Sequence, residues 1–396
     1  MHPNPRRLLP LLTLLVGIAI ATTSLYIPSI PDMARDFGVD VSAIQATLTV
    51  FLFAYGTSQL VHGPMSDRFG RRPVLLGGLA VAVLASAACA LAPSVGFLIL
   101  GRIAQAIGAC AGVVISRAIV RDLFEREAAA EAMSIISATL AVAPAVGPVI
   151  GGLLEVWFGW RANFIFLALL TGLTMLLVWK WLPETNRHRQ PAGSGLGGIL
   201  AGYRALLASR HFWAYSATIT GMFAGIFGFA AGAPVLLIDG LHISPDIYGL
   251  LAATPTIGAL SGSAISAWLT ARLGLDRLVL IGTLVYTSAG TLLAGLAVSG
   301  EFNAISLIGP MILFQVGLGI ALPNSLTGVV NIFPAFAGSA AAFTGFLQMA
   351  SSAVATFAVL SLPKTGPVPL SLVVMAAGFG GLVPWLLLRP RQARAG

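Results

Sequence analysis

Apolar residues run along this chain in long blocks separated by short polar interruptions. The blocks fall at about 8–31, 42–64, 73–92, 95–118, 129–156 and 159–182, then at about 211–238, 247–270, 277–298, 304–326, 335–360 and 367–388. Each approaches the about 20 residues that a helix needs to cross the hydrocarbon core of a bilayer. The pattern predicts an all-α integral membrane protein with twelve transmembrane helices, spans 1 to 12. The segment PETNRHRQPAGSGLGG (183–198) is polar and rich in Pro and Gly, so it cannot bury in lipid. It divides the chain into a first six-helix bundle at 1–182, a cytoplasmic linker at 183–209 and a second six-helix bundle at 210–396.

An internal repeat supports this division. A shift of about 204 residues places RFGRRPVLLGG (68–78) over RLGLDRLVLIG (272–282), and FGVDVSAIQ (37–45) over LHISPDIYG (241–249). Duplicated six-span halves with a site at their interface are a common plan of secondary transporters.

Composition excludes a soluble globule. Of 396 residues, 57% are hydrophobic and 9% charged, and the mean hydropathy is +0.92; soluble domains carry about 25% charged residues. The formal charge of +8 would suit nucleic acid if it were clustered, but the basic residues lie between apolar blocks. With the N-terminus inside, about 18 of the 22 Lys and Arg fall on the cytoplasmic side, the exceptions being Arg35, Arg102, Arg161 and Lys364. Both termini are therefore expected in the cytoplasm, with the lipid bilayer as the partner and no nucleic acid. The N-terminal basic and apolar run reads as an uncleaved first span. Cys89 and Cys110 lie inside apolar blocks and read as small core residues, so neither a metal nor a cofactor is implied.

Several motifs carry candidate mechanism. In GPMSDRFGRRPVLL (63–76), Gly63 and Gly70 suit a tight turn, and Asp67, Arg68, Arg71 and Arg72 crowd one short loop. Topogenic charge explains the arginines there but not the aspartate. Span 5 carries APAVGPVIGG (143–152), whose Pro144, Gly147, Pro148, Gly151 and Gly152 open a helix to close approach by a neighbour. Ordinary small-residue helix packing is the plainer explanation. Span 4 carries GRIAQAIGACAG (101–112) with an intramembrane Arg102, which either pairs, serves a function or snorkels outward.

These segments resemble the loop, antiporter and span 4 motifs of the major facilitator superfamily. By that resemblance Asp67 and Arg71 form a latch that holds the outward-facing state, with Asp122 at the end of span 4 as third member. SLYIPSIPDMARDFGVD (24–40), GWRANFIF (159–166) and LPNSLTGVVNIFPAFAGSAAAFTGFLQM (322–349) resemble the Bcr/CflA-type drug-resistance exporters, so the likeness runs over essentially the whole chain. It implies a monomeric carrier in the bacterial inner membrane that exports small, mostly uncharged or amphiphilic compounds by alternating access. Phenicols, bicyclomycin and sulfonamides are the implied substrates, with a proton as coupling ion.

One departure bears on coupling. Where relatives carry an aspartate in span 1, this chain has Ser24, and all fourteen acids, Glu155 included, lie toward helix ends. Coupling then falls to an end-of-helix group, with Asp32 and His62 as candidates, or to the charge of the substrate, or it is absent; Arg102 is the candidate buried charge. Asp32 also reads as an ordinary helix-end charge and His62 as an interfacial histidine.

With few charges available, the ligand should meet aromatic and amide side chains in an apolar cavity. The candidates are Tyr26, Tyr55, Gln59, Gln105, Phe223, Phe227, Gln315, Asn324 and Gln348, each of which could instead serve helix packing. A metabolite exporter on the same fold, uncoupled or not, stays open. An enzyme does not fit: the histidines at 2, 62, 188, 211 and 242 are scattered, and neither HExxH nor CxxC occurs.

Overall fold

The computed structural model describes residues 8–186, 203–332, 337–362 and 366–389, less the side chains at 126, 127, 130, 137, 141, 337 and 338. Most of the linker, Lys364 and the terminal arginines lie outside the described residues. Among the described residues the regular structure is helical throughout. Twelve helices are long and apolar enough to cross a membrane: Leu9–Phe37, Val41–Phe69, Arg71–Ala90, Val95–Leu123, Glu131–Phe158, Arg161–Trp181, Arg210–Gly240, Pro245–Leu273, Leu275–Val298, Ala304–Ile332, Ser339–Ser361 and Val368–Leu388. They match the predicted spans and extend several of them through polar ends.

Three spans are irregular, each at proline. Span 1 runs as a helix to Ser24, tightens into a 3-10 turn at Ile27–Ser29 and resumes at Ile30–Phe37. Pro28 and Pro31 lack the amide hydrogens that an unbroken α-helix would use there. Span 7 passes Pro234 into a π-helical stretch at Val235–Gly240, and span 8 is divided between Pro245–Ala253 and Pro255–Leu273.

Contacts divide the chain into two units, one of residues 1–195 with 234–253, the other of residues 196–233 with 254–396. In the first unit span 4 packs on spans 2 and 3, span 3 on span 6, span 1 on spans 4, 5 and 6, and the segment 245–253 on span 5. In the second, span 10 packs between span 9 and the Pro255–Leu273 part of span 8, and span 9 also packs on span 12. Its core includes Phe212, Tyr215, Ile219, Val279, Val329 and Trp385, all buried.

The repeat reappears as equivalent backbone. Gly70 joins spans 2 and 3 at φ 105°, ψ 152°, and Gly274 joins spans 8 and 9 at φ 77°, ψ 162°. Both conformations favour a residue without Cβ. Gly63 is a correction to the sequence reading: it lies inside the span 2 helix, which runs on to Phe69, and a Cβ there would meet nothing. The turn belongs to Gly70 alone, because one positive-φ residue suffices to end one helix and start the next.

Candidate functional site

At the Gly70 end of the first unit, Arg71 is the centre of a charged network. Its side chain is 8% exposed; Nη1 donates to Asp67 Oδ1 at 2.5 Å and to Ser66 Oγ at 2.7 Å, and Nε donates to Asp122 Oδ2 at 2.9 Å. Two carboxylates thus hold one nearly buried guanidinium through charge-assisted bonds, a fork that lysine cannot reproduce. Asp67 and Arg71 of the loop and Asp122 at the end of span 4 lie together here. Arg68 is not part of the group; it lies over the Phe69 ring at 5.1 Å.

Glu184, just after span 6, was not singled out by sequence. Its Oε1 accepts from the amides of Arg71 at 2.9 Å, Thr185 at 3.0 Å and Asn186 at 2.9 Å, and its Oε2 accepts from the Arg72 amide at 3.3 Å. Gly70 has no side chain with which to cap span 3, so a carboxylate over a hundred positions away supplies the cap and meets the positive end of the helix. Thr185 Oγ1 donates to Asp122 Oδ2 at 3.2 Å, Asn186 Nδ2 donates to the Asp67 carbonyl at 2.8 Å, and Arg72 Nη2 donates to the Trp179 carbonyl at 2.6 Å. The ends of spans 2, 3, 4 and 6 are therefore tied by one set of bonds.

At the opposite end of the unit, span 5 makes a seam with span 1. A Cβ at Gly147 would overlap the Ser24 side chain, and one at Gly151 would overlap the Leu25 carbonyl. Pro148 and Gly152 lie against Gly249 and Pro245 of the 245–253 segment, again at backbone distance. Pro144 sits one turn earlier and is exposed. The position where an acid was missing, Ser24, is buried against Gly147, and its hydroxyl is spent on the Ile20 carbonyl at 3.3 Å.

Arg102 does not snorkel. It is fully buried, with its guanidinium 4.2 Å from the ring centres of both Tyr26 and Phe51 and 5.9 Å from that of Phe164. Nη1 donates to the Thr22 carbonyl at 2.9 Å and to Gln105 Oε1 at 2.6 Å, while Nε and Nη2 have no partner. Its charge is met by aromatic faces and not by a carboxylate, an arrangement worth most where water is absent.

Among the other coupling candidates, Asp32 pairs with Arg35, which also bonds Asp239 at 3.0 Å. His62 is buried, its Nδ1 2.9 Å from the Ser58 carbonyl, at the base of an apolar groove of about 670 Å³ lined by Phe53, Val61, Met65, Phe69 and Val81.

Of the cavity candidates, four are buried with internal partners. Tyr26 is fully buried with its hydroxyl 3.2 Å from Thr47 Oγ1, and Gln105 is fully buried and donates to Ser86 Oγ at 2.7 Å. Asn324 donates to Ser266 Oγ at 2.7 Å, and Tyr55 is buried and stacked on Phe51 at 6.0 Å. Phe223 and Phe227 stack on one another at 6.5 Å and are half-buried, as are Gln59, Gln315 and Gln348. These five retain the exposure that a ligand contact requires.

The model of the Major Facilitator Superfamily matches residues 12–356. The chain is 34% identical over 395 residues to Multidrug resistance protein D of Escherichia coli K12, covering 98% of this chain and 97% of that one. It is also 34% identical to the Chloramphenicol resistance protein of Pseudomonas aeruginosa over 80% of this chain and 75% of that one. Among solved structures, a POT family transporter in complex with 5-aminolevulinic acid superposes with a TM-score of 0.77 at 14% identity, covering 96% and 95% of the two chains, a likeness of fold.

Proposed function

The chain belongs to the Major Facilitator Superfamily, in its Bcr/CflA drug-resistance type, and from that premise we propose that it exports small, mostly uncharged or amphiphilic drugs from a bacterial cell by alternating access. The observation that carries this reading is the whole-length identity to a protein named for multidrug resistance. The chain would sit in the inner membrane as a monomer of two six-helix bundles with both termini cytoplasmic. Export would be driven by proton entry.

In this reading the Arg71 network is the latch. Asp67 and Asp122 hold Arg71 in one access state, and its release frees the ends of spans 2 and 4 to move. Breaking a partly buried ion pair by removing one partner strands the other charge, which costs about 3–5 kcal/mol in dry sites and less in this half-exposed one. The span 1 and span 5 seam, closed by Gly147 and Gly151, would keep the antiporter free of leak while the states exchange.

The test is accumulation of labelled chloramphenicol, bicyclomycin and a sulfonamide in an efflux-deficient bacterium expressing the protein. Reduced accumulation that a protonophore restores is the expected result. Reduced accumulation that the protonophore leaves unchanged would favour an uncoupled carrier, to which Ser24 in place of an acid points. No change for any compound would move the reading to a metabolite exporter.

A further inference from the structure

Gly147, Gly151 and Glu155 follow one another at intervals of four along span 5 and so share a helix face. The two glycines let span 5 press on Ser24 and Leu25; the third position brings a carboxyl to Ser29, where the 3-10 turn breaks span 1. Glu155 is 6% exposed. Its carboxyl lies beside Ser29, and Oε2 is buried with no hydrogen-bond partner. Ser29 Oγ in turn accepts from Asn163 Nδ2 at 2.8 Å, and Asn163 Oδ1 is also buried without a partner. The cluster holds more acceptors than donors. A proton on the carboxyl supplies a missing donor and removes a charge from a nearly buried side chain.

The surrounding charges do not neutralise Glu155. Arg35 of span 1 is the cation whose field reaches it, but that guanidinium is paired with Asp32 and Asp239. From span 6, Arg161 is held by Asp36 at 2.8 Å; from the 245–253 segment come Asp246 and the buried Tyr248; from span 4, Arg102 is enclosed by its aromatic rings. Among the described residues no ion pair is made by Glu155, a carboxyl at the seam of two spans.

We propose that Glu155 is the carboxyl that binds and releases the transported proton, in the role left vacant where Ser24 stands. This rests on the proton-coupled reading above. Protonated, Glu155 lets span 5 seat against the broken part of span 1. Ionised, it must regain water, and the route to water is separation of that seam, so a proton taken from the medium and the position of span 5 become one event.

The test uses the full-length protein reconstituted in liposomes, with Glu155→Gln, which mimics the protonated acid, and Glu155→Asp. Infrared difference spectra recorded as the bath is taken across about pH 5 to 9 should show the C=O stretch of a protonated carboxyl in the wild type and lose it in E155Q. No Glu155-dependent band overturns the proposal, whatever the protein carries. With chloramphenicol as probe, E155Q should keep drug-for-drug exchange within about twofold and lose pH-gradient-driven accumulation at least about tenfold, and E155D should recover part of the driven accumulation. An E155Q protein that concentrates the drug like the wild type overturns the proposal; so does one that loses exchange as well, with E155D no better, which would mark a packing residue. Wild-type protein that exchanges chloramphenicol but ignores the gradient sinks proton coupling itself. That failure is seen without any substitution and so is separate from a failure of Glu155.

Discussion

A guanidinium sandwiched between Tyr26 and Phe51, with two of its nitrogens lacking a hydrogen-bond partner, is a costly side chain to bury in this bundle. Arg102→Lys keeps the charge but loses the planar stack and leaves the Thr22 carbonyl or Gln105 Oε1 without its donor. It should lower stability by about 1–3 kcal/mol, read as an earlier thermal transition of the purified protein. At the other end, Asp67→Asn should abolish export with normal protein levels, because Asp122 and Ser66 still anchor Arg71 structurally while the latch is weakened. Unimpaired drug efflux in that variant would remove Asp67 from the mechanism. Asp67 and Arg71 were legible in the loop motif, and Asp122 at the end of span 4 through the family resemblance. Glu184 and Asn186 were not, since their partners lie over a hundred positions away and no periodicity links them. For Glu155 a signal did exist: it continues the four-residue interval of Gly147 and Gly151, which sequence reading stopped at the glycines.

Among elements, the span 1 and span 5 seam and the span 2 to span 3 turn show how one residue type can serve opposite ends. Gly151→Ala puts a methyl into the Leu25 carbonyl and should cost about 1–3 kcal/mol by overpacking. Gly63→Ala, inside a helix and facing open space, should instead gain up to about 1 kcal/mol, and the order of melting temperatures of the two variants in detergent checks both. Removing the long-range cap by Glu184→Ala should loosen the start of span 3 by about 1–2 kcal/mol, with hydrogen exchange at the Arg71 and Arg72 amides as the direct readout. Helix positions were predictable to within a few residues because each span is an apolar block of spanning length. The breaks in spans 1, 7 and 8 needed the backbone, because a proline in a membrane helix can kink, unwind or be absorbed.

For the whole molecule, the repeat and the charge bias make separate claims. The repeat is visible as the matched turns at Gly70 and Gly274, yet among the described residues only the first carries the ionic network: at the second, Ala271 and Leu275 replace Asp67 and Arg71, and Asp276 accepts from the Tyr215 hydroxyl at 2.5 Å. The two turns thus share a backbone conformation but differ in the side-chain bonds around them. The charge bias predicts that green fluorescent protein fused to the C-terminus will fluoresce in cells, whereas a periplasmic reporter such as alkaline phosphatase fused there will be inactive. The opposite pair of results would invert the topology and with it the side on which Arg71 acts.

The amino-acid sequence by itself determined twelve spans, their duplication, the loop that carries Asp67 and Arg71, and the family. Those properties are written in local composition, because a bilayer reads about 20 apolar residues at a time and a motif occupies one short window. Only the tertiary structure decided that Arg102 is boxed by rings, that Glu184 caps a distant helix, that Gln105 and Asn324 are spent on internal hydrogen bonds, and that Glu155 is the buried acid with a free oxygen. Burial and hydrogen-bond satisfaction depend on groups brought together from separate spans, and in a helix bundle those partners are set by which small residues let which backbones touch.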